Sequence, residues 1–152
     1  MRQVVALLLV LLVTACSPAE RMSYQVRSVG VAYDTVKEDK VPDTYRTQGV
    51  YDPKEPQAKP EEVKWRTLWN GLRTVEKDGY DMAVFVGPAA TNLTRTITYS
   101  STGQTSKVGE YPGFTFLVRG YKSNAAHPAN AKPIATLIDE ANRRAFAAAQ
   151  KP

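Results

Sequence analysis

Cysteine and histidine are nearly missing from this chain: each occurs once in 152 residues, as Cys16 and His127. A single thiol cannot close an intramolecular disulfide, so packing alone must stabilise the fold. One histidine cannot supply the convergent ligands of a common zinc site. It stands in the loop-like run Ala125-Ala126-His127-Pro128, and no Gly-x-Ser-x-Gly elbow offers it a nucleophile. Phosphate-cradling glycine loops are absent too, because Gly103, Gly109 and Gly113 punctuate a Ser/Thr-rich stretch and precede no Lys-Ser/Thr helix start. Strong charge of one sign is also lacking. The 20 basic and 15 acidic residues interleave, as in Lys37-Glu38-Asp39-Lys40, which reads as a solvated surface and excludes a nucleic-acid stripe. Asp34, Glu38, Asp39 and Asp43 are neighbours without the spacing or fixed glycine of a calcium loop. No catalytic residue, metal ligand or cofactor is therefore assigned, and no carboxylate pair for glycan cleavage is nominated, since that separation is a property of the fold.

Past Val13 no apolar run is long enough to cross a bilayer. Before it, Arg2 is followed by an unbroken apolar run from Val4 to Val13, then small residues. This is the basic, apolar and small order of a secretory signal. Ten residues at helical rise cover about 15 Å, half of the roughly 30 Å hydrocarbon core, so the run is too short to span. The tetrad Val13-Thr14-Ala15-Cys16 closes it. It resembles, position by position, the lipobox of bacterial lipoprotein signals. The resemblance implies cleavage between Ala15 and Cys16, a diacylglycerol on the Cys16 thiol, and a freed amine open to a further acyl chain such as palmitate. One chain anchors only marginally, and two or three hold durably. Expected boundaries are a signal peptide over 1–15, a lipidated cysteine and tether over 16–22, and a single globular domain over 23–152. The residue after the cysteine is Ser17, not the aspartate of inner-membrane retention. By the same resemblance, the chain is expected on the outer membrane, facing the periplasm.

Periodicity organises the remainder. Tyr24 to Tyr33 is β-branched and aromatic with Val29, Val31 and Tyr33 on one side, which predicts a strand. A charged loop over 34–43, a weaker antiparallel strand over 44–51 and a proline-rich loop over 52–60 are expected next. Pro60, Glu61 and Glu62 suit the first turn of a helix. Trp65, Leu68, Trp69, Leu72 and Val75 repeat as one buried stripe, and Gly79 suits a left-handed cap. The apolar run 80–88 reads as a central strand buried on both faces. A loop over 89–93, a half-exposed strand over 94–100 and a long loop over 101–113 follow, then a strand over 114–121 and a loop over 122–132. An amphipathic helix over 133–150 closes the chain. This order predicts an α+β fold, with a mostly antiparallel sheet of four or five strands and two amphipathic helices on one face.

Lys77-Asp78-Gly79-Tyr80-Asp81, followed by Met82 to Val86, is similar to an arrangement in small proteobacterial envelope lipoproteins. There a helix ends in Gly-Tyr-Asp ahead of a strand, with a Pro-containing segment before the last helix. That resemblance covers about residues 60 to 145 and carries no catalytic residue with it. The expected function is a non-enzymatic, membrane-anchored module that binds an envelope protein or peptidoglycan. The competing classes are a carboxylate-based cell-wall glycan hydrolase and a small-ligand binder with a pocket beside the Trp65/Trp69 helix. Trp65 and Trp69 themselves read as core, with a sugar-stacking or partner platform as the functional alternative.

Overall fold

A computed structural model describes residues 30–99 and 105–151. Its elements run β1 (Val31–Lys37), β2 (Thr44–Tyr51), α1 (Pro60–Lys77), β3 (Met82–Tyr99), β4 (Thr105–Tyr121), β5 (Lys132–Pro133) and α2 (Ile134–Ala149). All five strands join one antiparallel sheet in the order β1-β2-β4-β3-β5. Both helices cover the same face, where Leu68 and Leu72 of α1, Leu137 and Ala141 of α2, and Tyr45, Phe116 and Val118 of the sheet form one core. The architecture is α+β, as the order of elements predicts.

Helix α1 begins at Pro60 with two carboxylates in its first turn and is followed by Asp78 as its C-cap, ahead of Gly79 at φ +88°. Its buried side is rotated from the predicted stripe. Val63, Thr67, Leu68, Gly71, Leu72 and Val75 are buried, together with Glu62 and Arg66. The Arg66 Nε donates to Glu62 Oε1 at 3.1 Å, which supplies the partner a buried charge requires. Two glycines set the closeness of this helix to β2. A Cβ on Gly49 would lie 1.9 Å from Thr67 Oγ1, and one on Gly71 would lie 2.7 Å from Thr47 Cγ2. Helix α2 runs alongside α1, and Lys59 Nζ at the start of α1 donates to the Ala149 carbonyl at the end of α2, 2.9 Å away.

Four further expectations are corrected. β1 continues through Asp34 to Lys37, where a loop was expected, because each of its residues finds a partner in β2. The earlier part of that predicted strand, 24–29, lies outside the described residues. The run 89–93 is not a loop, since β3 is one strand of 18 residues with a register shift between Val86 and Ala89. Pro88 does not end it: beyond Ala83 the outer edge of β3 pairs with no other strand among the described residues, and an unpaired edge needs no proline N–H. β3 is also not buried on both faces, since Val86 is 72% exposed and β4, not β3, is the central strand. Residues 105–113 are strand and not loop. The ladder from Thr91↔Gly113 to Tyr99↔Thr105 supplies pairing that outweighs a Ser/Thr/Gly-rich composition.

The register shift has a large effect downstream. Ala83 and Phe85 pair with Gly120 and Val118 on the helix side, whereas Leu93, Ile97 and Tyr99 fall on the opposite face. The distal β3–β4 ribbon curls over that face, bringing Arg95 Nη2 to Gln48 Oε1 at 2.5 Å and to Asp34 at 3.8 Å. A second core forms beneath the curl from Val50, Ile97, Tyr99 and Tyr111, with Ala32 and Leu93 against it. The Tyr99 hydroxyl donates to Asp52 at 2.5 Å and ties the ribbon to the end of β2.

Candidate interaction surface

The curl fills only one end of the helix-free face. At the other end the register aligns four residues in a row across four strands: Val36 with Arg46, Arg46 with Leu117, and Leu117 with Val86. All face away from the helices, and the three aliphatic side chains are open to solvent, Val36 at 57%, Leu117 at 42% and Val86 at 72%. A half-buried apolar row would be ordinary, but one this open inside a curled sheet is a surface with an uncovered apolar floor. Arg46 pairs with Glu38, Arg95 bridges Gln48 and Asp34, and Arg119 lies 5.5 Å from the Tyr121 ring. Arg46 thus stands within the row, between Val36 and Leu117, and Arg95, Arg119, Glu38 and Asp34 lie around it, so the aliphatic floor is set among three guanidinium groups and two carboxylates.

Neither Val36 nor the other two were singled out by sequence. Val36 sits in a charged stretch, and Leu117 is one more apolar residue in the run Phe114 to Val118. Period-two alternation separates Leu117 from Phe116 and Val118, but only the pairing register shows that its neighbours across the sheet are also exposed.

Trp65 and Trp69 are half-buried at the margin of the main core. Their ring faces are covered by cations of the same protein. Arg144 lies 4.5 Å and Lys64 5.2 Å from the Trp65 ring, and Arg73 lies 5.9 Å from that of Trp69. Each of these cations is held in turn by a carboxylate on its own helix: Arg144 by Glu140, Lys64 by Glu61 and Arg73 by Glu76. The crevice between the helices, lined by Trp65, Leu68, Phe85 and Leu137, holds about 70 Å³. That is well below the several hundred Å³ of a drug-sized ligand site.

A second polar cluster closes the end of the sheet nearest the α1 C-terminus. The Tyr45 hydroxyl donates to Asp78 and the Tyr80 hydroxyl to Asp43, with the two rings edge to face at 6.4 Å. Burial, then the Asp78 hydrogen bond, pushes the Tyr45 phenol above its ordinary range. The Asp43 hydrogen bond, then burial, does the same to Tyr80. Both phenols stay protonated, and both carboxylates serve as acceptors that join β2, the β1–β2 turn and the α1 cap. His127 is exposed, with Nδ1 3.3 Å from the Pro128 carbonyl oxygen. Among the described residues no group of three or more His, Cys, Asp or Glu converges as a metal site, and no helix is long and apolar enough to cross a membrane. Cys16 lies outside the described residues. Compared with known protein families, curated proteins and solved structures, the chain has no match in any of the three.

Proposed function

We propose that the chain is an envelope lipoprotein, held to the outer membrane through a lipid on Cys16, whose folded domain is a protein-interaction module facing the periplasm. The observation that carries the interaction reading is the solvent-open row of Val36, Leu117 and Val86 on a sheet face that no helix covers. Burying such a row against a partner removes apolar surface from water without disturbing the core on the other face. The anchor reading is supported by the tetrad Val13-Thr14-Ala15-Cys16 at the end of a run too short to span. A glycan hydrolase is less well supported, because Asp43 and Asp78, the carboxylates the fold brings to one cluster, are each engaged by a tyrosine hydroxyl. A peptidoglycan-binding role through stacking on Trp65 or Trp69 is weakened by the cations that cover both rings.

Replacing Cys16 with Ser tests the anchor. The expected product is an uncleaved precursor without acyl mass by intact-mass measurement, absent from outer-membrane fractions. Normal maturation of that variant would overturn the reading. Sedimentation of the wild-type chain with purified sacculi separates the two partner classes, with the chain expected in the supernatant.

A further inference from the structure

We propose that the trough on the helix-free face seats an acidic segment of a partner polypeptide that carries aliphatic anchors. This deepens the interaction-module reading and rests on it. The trough is built by two features that the rest of the fold does not require. The first is the curl: Arg95, six residues past the register shift in β3, reaches back to Gln48 of β2 and Asp34 of β1, so the distal ribbon forms a wall over the face. The second is the exposed floor of Val36, Leu117 and Val86 at the open end. Four strands at about 4.8 Å spacing make that floor some 14 Å wide, enough for one extended chain or one helix.

The charges choose among occupants. Arg46 is directly opposite Leu117, and Arg119 is two residues along the same strand and on the same face. Arg46 is already matched by Glu38, while Arg119 rests on the Tyr121 ring and has no ion-pair partner among the described residues. Counting Arg95 with Asp34, the frame has one guanidinium more than it has carboxylates, and the excess lies beside Leu117. A ligand that places a carboxylate at Arg119 and aliphatic side chains on Val36, Leu117 and Val86 satisfies both features at once.

Other occupants fit less well. A second copy would set Arg119 of one chain against the same cationic face of the other, and three aliphatic side chains fall short of the roughly 800 Å² per partner of a standard stable interface. The segment from Ser17 to Val29 carries Arg21 and Arg27 against Glu20, which is the wrong sign. A bilayer surface would meet the walls of a curled sheet before its floor.

The test is site-specific photocrosslinking in intact cells, using the full chain with p-benzoylphenylalanine in place of Leu117, and with Arg143 on the exposed side of α2 as a second position. The expected adduct at 117 is a peptide with aliphatic residues in which carboxylates outnumber lysines and arginines, and Arg119→Glu lowers its yield about tenfold. If Arg119→Glu does not fold, as judged by its melting curve, Arg119→Gln replaces it under the same criterion. An adduct with phospholipid, with a second copy or with a neutral or basic peptide overturns the proposal. So does no adduct at 117, or a yield unchanged by the Arg119 variant. Adducts at 143 but not at 117 sink the trough alone, whereas protein adducts at neither position sink the interaction-module reading with it. Acyl mass on Cys16 is read separately and bears on the anchor only.

Discussion

Asp52 shows how single side chains couple this fold to pH. The Tyr99 hydroxyl donates to its carboxylate, as does the Lys54 backbone N–H, and these bonds hold the carboxyl below the usual range. In the unfolded chain an aspartate titrates at about 4, so the stabilisation is fully present above that value and is lost as pH falls through the lower folded value. Asp52→Asn is expected to flatten the acid limb of stability below about pH 4, with variant and wild type converging in stronger acid. Urea melts across that range check it, and an unchanged acid limb would count against the coupling. Packing separates two other residues. Leu72 is fully buried, and its replacement by alanine is expected to cost about 2 to 5 kcal/mol. Trp65 is half-buried beneath Arg144, so Trp65→Ala is expected to cost less than Leu72→Ala despite the larger side chain. The reverse order in the same melts would place Trp65 in the core.

At the scale of elements, the contact between α1 and β2 is set by missing side chains. Alanine is a better helix former than glycine by about 1 kcal/mol, so propensity alone predicts that Gly71→Ala stabilises α1. The added methyl would meet Thr47 Cγ2 at 2.7 Å and Cβ at 3.0 Å, and overpacking of this kind costs about 1 to 3 kcal/mol. Net destabilisation is expected, seen as a lower urea midpoint, and a raised midpoint would mean that α1 can lift from the sheet without loss. The first and last turns of α1 were legible because Pro60, Glu61, Glu62 and Gly79 are local signals. Its buried side was not. Trp65 faces α2 and Trp69 packs at the margin of the same core, and a helix beside another helix and a sheet has two contact directions that a single periodic stripe cannot separate.

The whole molecule is a sheet with a core on each face, and the two cores differ in what holds them. The larger joins both helices to the sheet, whereas the smaller holds only the curled ribbon through Val50, Ile97, Tyr99 and Tyr111. Ile97→Ala is therefore expected to loosen the ribbon locally while the helix side keeps its packing. Hydrogen exchange should show protection lost in 93–99 and 105–111 but retained in α1 and α2. Uniform loss across the chain would mean that the two cores unfold as one unit.

Local chemistry was enough to determine the span of α1 and the antiparallel strand at 44–51, because each rests on residues within a few positions of one another, and the order of such elements was enough for the α+β class. The continuity of β3, the strand character of 105–113 and the open row of Val36, Leu117 and Val86 were decided only by tertiary structure. Each depends on a partner far along the chain: Leu117 is a core residue or a surface residue according to which strands lie beside it and which face the helices take. Composition cannot report that choice, since a β-strand presents both faces and only the packed layers distinguish inside from outside.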